Sequence, residues 1–175
     1  MKTSIALIGF MGAGKSSLGR VLSRRLSKNF IETDAIIEEE AGKPVFKIFE
    51  EEGEIRFREL EIEVIKQLAN QNNQVISCGG GVVLNQINIL RLKQNAVVIW
   101  LTASPEDIVR RTRLDATRRP VLKSVKNEED LRKLIEYRLP FYERSADLVV
   151  DTSGKNINSV ADEILDRLKQ YADFN

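Results

Sequence analysis

Histidine is absent from this chain of 175 residues, and cysteine occurs once, at Cys78. The first absence removes Ser-His and Cys-His nucleophilic pairs, imidazole metal sites and histidine general bases together. The second excludes an intramolecular disulfide and any site built from several thiolates. Cys78 itself reads as a small buried residue. No apolar run approaches the roughly 20 residues of a membrane-spanning helix. The apolar start "SIALIGF" meets glycines and Lys15 too early to be a signal segment. An excess of either charge is missing too: the net charge is +1, which gives no broad electrostatic attraction to nucleic acid or to an acidic membrane. Chemistry is left to carboxylates, lysine, arginine, backbone amides and a metal held by oxygens. A soluble, cytoplasmic monomer without a nucleic-acid or membrane partner is the expectation.

The remaining composition is that of an ordinary globular chain, with 42% hydrophobic and 30% charged residues. Short apolar runs at 4–10, 30–33, 74–78, 96–101 and 147–151 alternate with amphipathic stretches. Most of these runs are continuously apolar, the pattern of strands buried on both faces of a parallel sheet. Helical spacing predicts helices over 15–28, 34–41, 45–52, 53–71, 86–94, 104–113, 128–144 and 157–171. In 53–71, Phe57, Leu60, Val64 and Leu68 mark the core face. "SPED" at 104–107 supplies Ser104 as an N-cap and Pro105 at the first helical position. Repeated β–α units of this kind predict a three-layer α/β fold around a parallel sheet. The polar stretch "LDATRRPVLKSVKN", 114–127, fits neither element type and reads as a lid.

Directly after the first run comes "GFMGAGKSS", residues 9–17, which satisfies G-x-x-x-x-G-K-[ST] with Gly9, Gly14, Lys15 and Ser16. Glycines in such a loop let successive N–H groups turn toward phosphate oxygens, and the following helix adds the positive end of its dipole. Lys15 would reach the β- and γ-phosphates, and the Ser16 hydroxyl would bind Mg²⁺. The chain therefore reads as a user of nucleoside triphosphate with a P-loop NTPase fold. No N-K-x-D guanine reader is present, so a small kinase or a nucleotide-gated binding module remains.

Two further stretches bear on that choice. In "IFEEEGEIRFRELE", 48–61, Glu54, Arg58 and Glu61 fall on one helical stripe. They form either an exposed ion-pair ladder or a clamp in which Glu61 positions Arg58 for a carboxylate. In "VISCGGGVVL", 75–84, three glycines follow an apolar run at the carboxyl end of the predicted sheet, where α/β folds bind ligands. Bare backbone there admits a flat ring and offers N–H groups, although a turn of unusual φ would also call for glycine.

Taken in order, "GFMGAGKSSLGR", "FIETD", "IFEEEGEIRFRELE", "SCGGGVV", "TRRPVL" and "YRLPFYERSAD" resemble the shikimate kinases over roughly residues 5–170. The resemblance implies transfer of the γ-phosphoryl of ATP to the 3-hydroxyl of shikimate, a step toward chorismate and the aromatic amino acids. It implies a five-stranded parallel sheet of the nucleoside monophosphate kinase type and one kinase domain over 1–175. Within that domain the phosphate loop is 9–17, the acceptor region about 34–62 and the mobile lid about 114–124. Gly12, Ala13, Gly14, Lys15, Ser16 and Ser17 are implied to cradle the nucleotide, with Arg111 and Lys155 on its adenine side. Asp34 is implied to bind the ring hydroxyls, Arg58 and Arg138 to grip the carboxylate, and Gly79, Gly80 and Gly81 to line the ring. Arg119, before the lid proline, is implied to close over the transferring phosphate. Lys15, Asp34 and Arg119 thus form the expected catalytic set. Glu32 stands where the family usually has the first aspartate of D-x-D, and with Ser16 it is the expected Mg²⁺ partner, acting through water. In "TSGKN", 152–156, lysine stands where arginine is common. A module that binds an acidic ligand without phosphoryl transfer, or a kinase acting on gluconate or a nucleotide, are the alternatives.

Overall fold

A computed structural model describes residues 1–112, 125, 127–171 and 174. The predicted lid, 114–124, and with it Arg119, lies outside the described residues. Five strands form one parallel sheet: β1 (Ser4–Ile8), β2 (Asn29–Glu32), β3 (Gln74–Ser77), β4 (Ala96–Thr102) and β5 (Leu148–Asp151), in the order β2-β3-β1-β4-β5. The helices between them are α1 (Lys15–Leu26), α2 (Thr33–Ala41), α3 (Val45–Glu51), α4 (Gly53–Ala69), α5 (Gln86–Asn95), α6 (Pro105–Thr112), α7 (Glu128–Ser145) and α8 (Ile157–Lys169). No helix among the described residues is long and apolar enough to cross a membrane.

Strand periodicity divides the core. Ile5 and Leu7 of β1, Val75 of β3 and Val97 and Ile99 of β4 point to one face, where Leu18 and Leu22 of α1 and Val160 and Ile164 of α8 cover them. Ala6, Ile8, Ile76, Val98 and Trp100 point to the other, against Val64 and Leu68 of α4, Ile89 and Leu92 of α5 and Tyr142 of α7. Both faces of the central strands are covered, so the runs are apolar at every position. Full burial of one such side chain contributes about 1.5–3 kcal/mol.

Most boundaries fall within two residues of the predicted ones. The first strand stops at Ile8 rather than residue 10, because the chain turns into the phosphate loop at Gly9. On α4, Leu60 is only half-buried, and Glu61 and Ile65 complete the buried stripe. At α6 the predicted cap is present: the Asp107 amide donates to Ser104 Oγ at 3.1 Å. Helix α7 runs through Pro140, which has no amide to donate to the carbonyl four residues earlier.

Candidate active site

The carboxyl ends of β1, β2 and β3 open into a cavity of about 650 Å³. It is lined by the phosphate loop on one side and by residues from α2, α4, the glycine triplet and α7 on the other. Two chemically different ends result.

At the nucleotide end, Gly12 and Gly14 hold φ values of 79° and 95°, the left-handed region that lets the loop's amides turn inward. Gly14 immediately precedes α1, so the dipole of that helix points into the loop. Lys15 folds over the loop, with Nζ donating to the carbonyls of Gly9 (2.8 Å) and Phe10 (3.0 Å). Ser16 Oγ lies 3.4 Å from Ser77 Oγ at the end of β3, and Ser17 lines the same wall. Ala13 is buried, and its carbonyl accepts from Thr152 Oγ1 at 3.2 Å. Arg111 donates to the Gly12 carbonyl (3.1 Å) and to Thr152 (3.3 Å to Oγ1, 3.3 Å to O). It stands between the main cavity and a smaller one of about 230 Å³, lined among others by Leu18, Lys155, Ile157 and Val160. Lys155 is paired with Glu163 at 2.8 Å.

The acceptor end is built from buried charge. Arg58 Nη1 donates to Glu61 Oε2 at 2.9 Å, while Nε and Nη2 donate to Glu54 Oε1 at 3.2 and 3.1 Å. The stripe read from the sequence is therefore an ion-pair ladder in which Glu54 and Glu61 hold Arg58. Glu61 is fully buried, and its Oε1 finds no hydrogen-bond partner among the described residues. Burial pushes its carboxyl up to about 7, against the pull of the Arg58 guanidinium. Arg138 of α7 is buried, lying over the Phe10 ring of the phosphate loop with Cζ 5.5 Å from the centroid. Tyr142, one turn further along α7, donates its hydroxyl to the Gly80 carbonyl at 2.5 Å and stacks on Trp100. Burial raises its phenol to about 12, so it stays a donor.

Asp34 sits in the first turn of α2, between the two ends. Its side chain is exposed to the cavity, while the protein around it still takes away part of its hydration. That desolvation raises its carboxyl above the usual range; the Lys15 ammonium pulls it down, Glu38 pushes it up and Arg58 pulls it down. The Cys78 thiol, buried beside it, is likewise pushed up and stays neutral.

The three glycines are not equivalent. A Cβ on Gly79 would lie 2.7 Å from Asp34 Oδ1 and 3.3 Å from Glu61 Oε1. One on Gly81 would fall on the Arg58 guanidinium, 2.7 Å from Cζ. At Gly80 it would meet the Met11 amide nitrogen at an ordinary 3.5 Å. The protein's own charged groups thus fill the space beside Gly79 and Gly81. The Gly79 amide donates to Thr33 Oγ1 at 3.0 Å, and that hydroxyl bonds the Ser77 carbonyl at 3.4 Å.

The oxygen donors suit Mg²⁺, which keeps several waters and takes one or two protein oxygens beside phosphate. Ser16 and Glu32 both line the cavity, and Glu32 Oε2 accepts from Arg20 at 2.7 Å. No cluster of three or more histidine, cysteine, aspartate and glutamate residues suited to a metal occurs among the described residues.

Sequence reasoning placed Gly12, Ala13, Gly14, Lys15, Ser16, Ser17, Glu32, Asp34, Arg58, Gly79, Gly80, Gly81, Arg111 and Arg138 around one cavity or its immediate wall, and the structure brings them together. It missed Thr33, Phe10, Glu38 and Tyr142. For Tyr142 a signal existed: it lies four residues after Arg138, on the same helical stripe.

A family model for shikimate kinase matches residues 11–169. A shikimate kinase of Dehalococcoides mccartyi is 42% identical over 171 residues, 98% of this chain and 96% of that one. One of Moorella thermoacetica is also 42% identical over 171 residues, 98% of this chain and 97% of that one. A shikimate kinase from Acinetobacter baumannii, solved in complex with shikimate, superposes with a TM-score of 0.92 at 32% identity, over 98% of this chain and 96% of that one. A gluconokinase from Sinorhizobium meliloti, at 19% identity and a TM-score of 0.65 over 97% and 93% of the two chains, shares the fold alone. A glycine-rich phosphate loop sharing one cavity with Arg58 and the buried Arg138, on a chain this similar end to end, leaves one conclusion: the chain belongs to the shikimate kinase family.

Proposed function

We propose that this chain transfers the γ-phosphoryl group of ATP to the 3-hydroxyl of shikimate, giving ADP and shikimate 3-phosphate. The observation that carries this reading is the pairing, in one cavity, of a phosphate loop with Arg58, Arg138 and Asp34. Two guanidinium groups suit a carboxylate.

In this reading the acceptor oxygen attacks the γ-phosphorus as the bond to the β,γ-bridging oxygen breaks. The hydroxyl proton passes to Asp34, whose raised affinity for a proton suits that task. Arg58, braced by Glu54 and Glu61, and Arg138 fix the far end of the ring, so that the hydroxyl is presented in line. Lys15 leaves the Gly9 and Phe10 carbonyls for the β- and γ-phosphates, and the amides of 12–17 hold the same oxygens. Ser16 and Glu32 would hold Mg²⁺, which would supply charge neutralisation on the phosphates. The resemblance gives Arg119 a share of that work. Arg111 and Lys155 border the base. A monomer acting in the cytoplasm completes the proposal.

The test is ADP release with MgATP, with and without shikimate, in a coupled assay, followed by the product mass. Shikimate-dependent ADP with a phosphorylated product supports the reading. ADP release indifferent to shikimate would leave the phosphate loop in place and overturn the acceptor.

A further inference from the structure

Asp107 is buried, at 9% exposure, in the first turn of α6, away from the acceptor end. With Ser104 it has the spacing of a capping box, in which the acid at the third position reaches back to the cap residue's own amide. Only half of that box is made. The Asp107 amide does bond Ser104 Oγ, but the Ser104 amide donates instead to Ser153 Oγ at 2.9 Å. The Asp107 carboxylate is turned to other work. Its Oδ2 accepts from the Gly154 amide at 3.2 Å and faces Arg111 Nη2 at 3.9 Å, while Oδ1 accepts from Arg110 at 2.5 Å.

Those partners belong to the nucleotide end. Gly154 lies in the loop after β5, next to Lys155, and Arg111 bonds the Gly12 and Thr152 carbonyls and stands between the two cavities. The same loop is fastened to the β4–α6 connection by Thr152 to the Thr102 carbonyl (2.9 Å) and by Ser153. Gly154 itself takes a φ of 64°, in the left-handed region that favours glycine. Arg111's bonds to Gly12 and Thr152 go to neutral oxygens, and Asp107 is the anion beside it.

We infer that Asp107 is a positioning residue for nucleotide binding, setting Arg111 and the Gly154–Lys155 backbone against the phosphate loop. It touches neither substrate, and the inference rests on the nucleotide reading above. It separates Asp107 from Glu61: each is a buried acid that steers an arginine, at opposite ends of one cavity.

Four variants test it: Asp107→Ala, Asp107→Asn, Arg111→Ala and the Asp107→Ala/Arg111→Ala double. ADP (with Mg²⁺) and shikimate affinities are read separately by calorimetry, KM for each substrate by the coupled assay, and folding by the thermal midpoint. Asp107→Ala is expected to weaken ADP and raise the ATP KM about tenfold, the scale of one hydrogen bond to a charged group. Shikimate binding stays unchanged. Asp107→Asn, which can still accept from Gly154 but carries no charge toward Arg111, falls between. The double variant falls short of the product of the two single effects, because part of what Asp107 does passes through Arg111. Equal ADP affinity in wild type and Asp107→Ala overturns the inference. So does weakening of both substrates together, or a double variant showing the product of the single effects. Should Asp107→Ala not fold, Asp107→Asn takes its place, and ADP affinity equal to wild type overturns the inference there too. A wild-type chain that binds no ADP would remove the nucleotide reading as well, and so is told apart from failure of this inference alone.

Discussion

The two ends of the cavity solve different recognition problems with different materials. The nucleotide end is mostly main chain: left-handed glycines, a helix terminus and a lysine parked on two carbonyls. The acceptor end is mostly desolvated charge: Arg58 against buried Glu61, and Arg138 beneath Phe10 and beside Tyr142. A triphosphate carries enough charge to draw flexible cations and amides to itself on arrival. In the proposed reading a small ring with one carboxylate does not, so its partners would stand ready before it enters, at the cost of desolvating them. The same demand explains Gly79 and Gly81, where a side chain would displace Asp34 or Arg58 rather than the ligand.

Removing one element from each end tests that contrast. Lys15→Met is expected to lower kcat about a thousandfold, because its charge meets the phosphates as they react. Calorimetry should find shikimate affinity unmoved. Arg58→Ala, by contrast, should raise the shikimate KM about a hundredfold, the scale of truncating one partner of a buried charge pair. An ATP KM that rose alongside it would mean that the two ends act as one unit, and the contrast would fail. Gly81→Ala should mimic that loss at about tenfold, through displacement of the guanidinium. The Arg58→Ala/Gly81→Ala double should then be no worse than Arg58→Ala. Steady-state kinetics with each substrate varied in turn separates these outcomes.

A further effect is on stability and sharpens the cost of burial. Glu61 holds its proton up to about 7 in the fold, against an ordinary value of 4.5. A raised carboxyl contributes stability that is fully present below about pH 4.5 and is lost as pH rises through 7. Glu61→Gln cannot ionise, so relative to wild type it should gain on the order of 2 kcal/mol between pH 5 and pH 8. Denaturant titrations at the two pH values give the difference directly. A constant gap would mean that Arg58 keeps Glu61 ionised throughout.

Much of this is legible in the sequence, for identifiable reasons. The strands can be read because each is covered on both faces, but the order β2-β3-β1-β4-β5 cannot, since uniformly apolar strands carry no mark of their neighbours. The phosphate loop declares itself by spacing. Arg58 and Glu61 lie on one helix three residues apart, so helix geometry alone joins them. The glycine triplet is legible as a place of close approach, yet not as the seat of Arg58's own guanidinium, which reaches it from a different element. Thr33 is hidden for the same reason: its hydroxyl matters only because β2 ends beside β3, where it meets the Gly79 amide.

One contact at the acceptor end makes the molecule optically informative. Trp100 is the chain's single tryptophan, stacked at 5.7 Å and 13° on Tyr142. That ring's hydroxyl is tied to the carbonyl of Gly80. A ligand pressing on the glycine backbone therefore shifts a phenol that lies against the chain's dominant fluorophore. Emission from Trp100 should follow any ligand that moves the Gly80 backbone, so the protein carries its own spectroscopic gauge of occupancy.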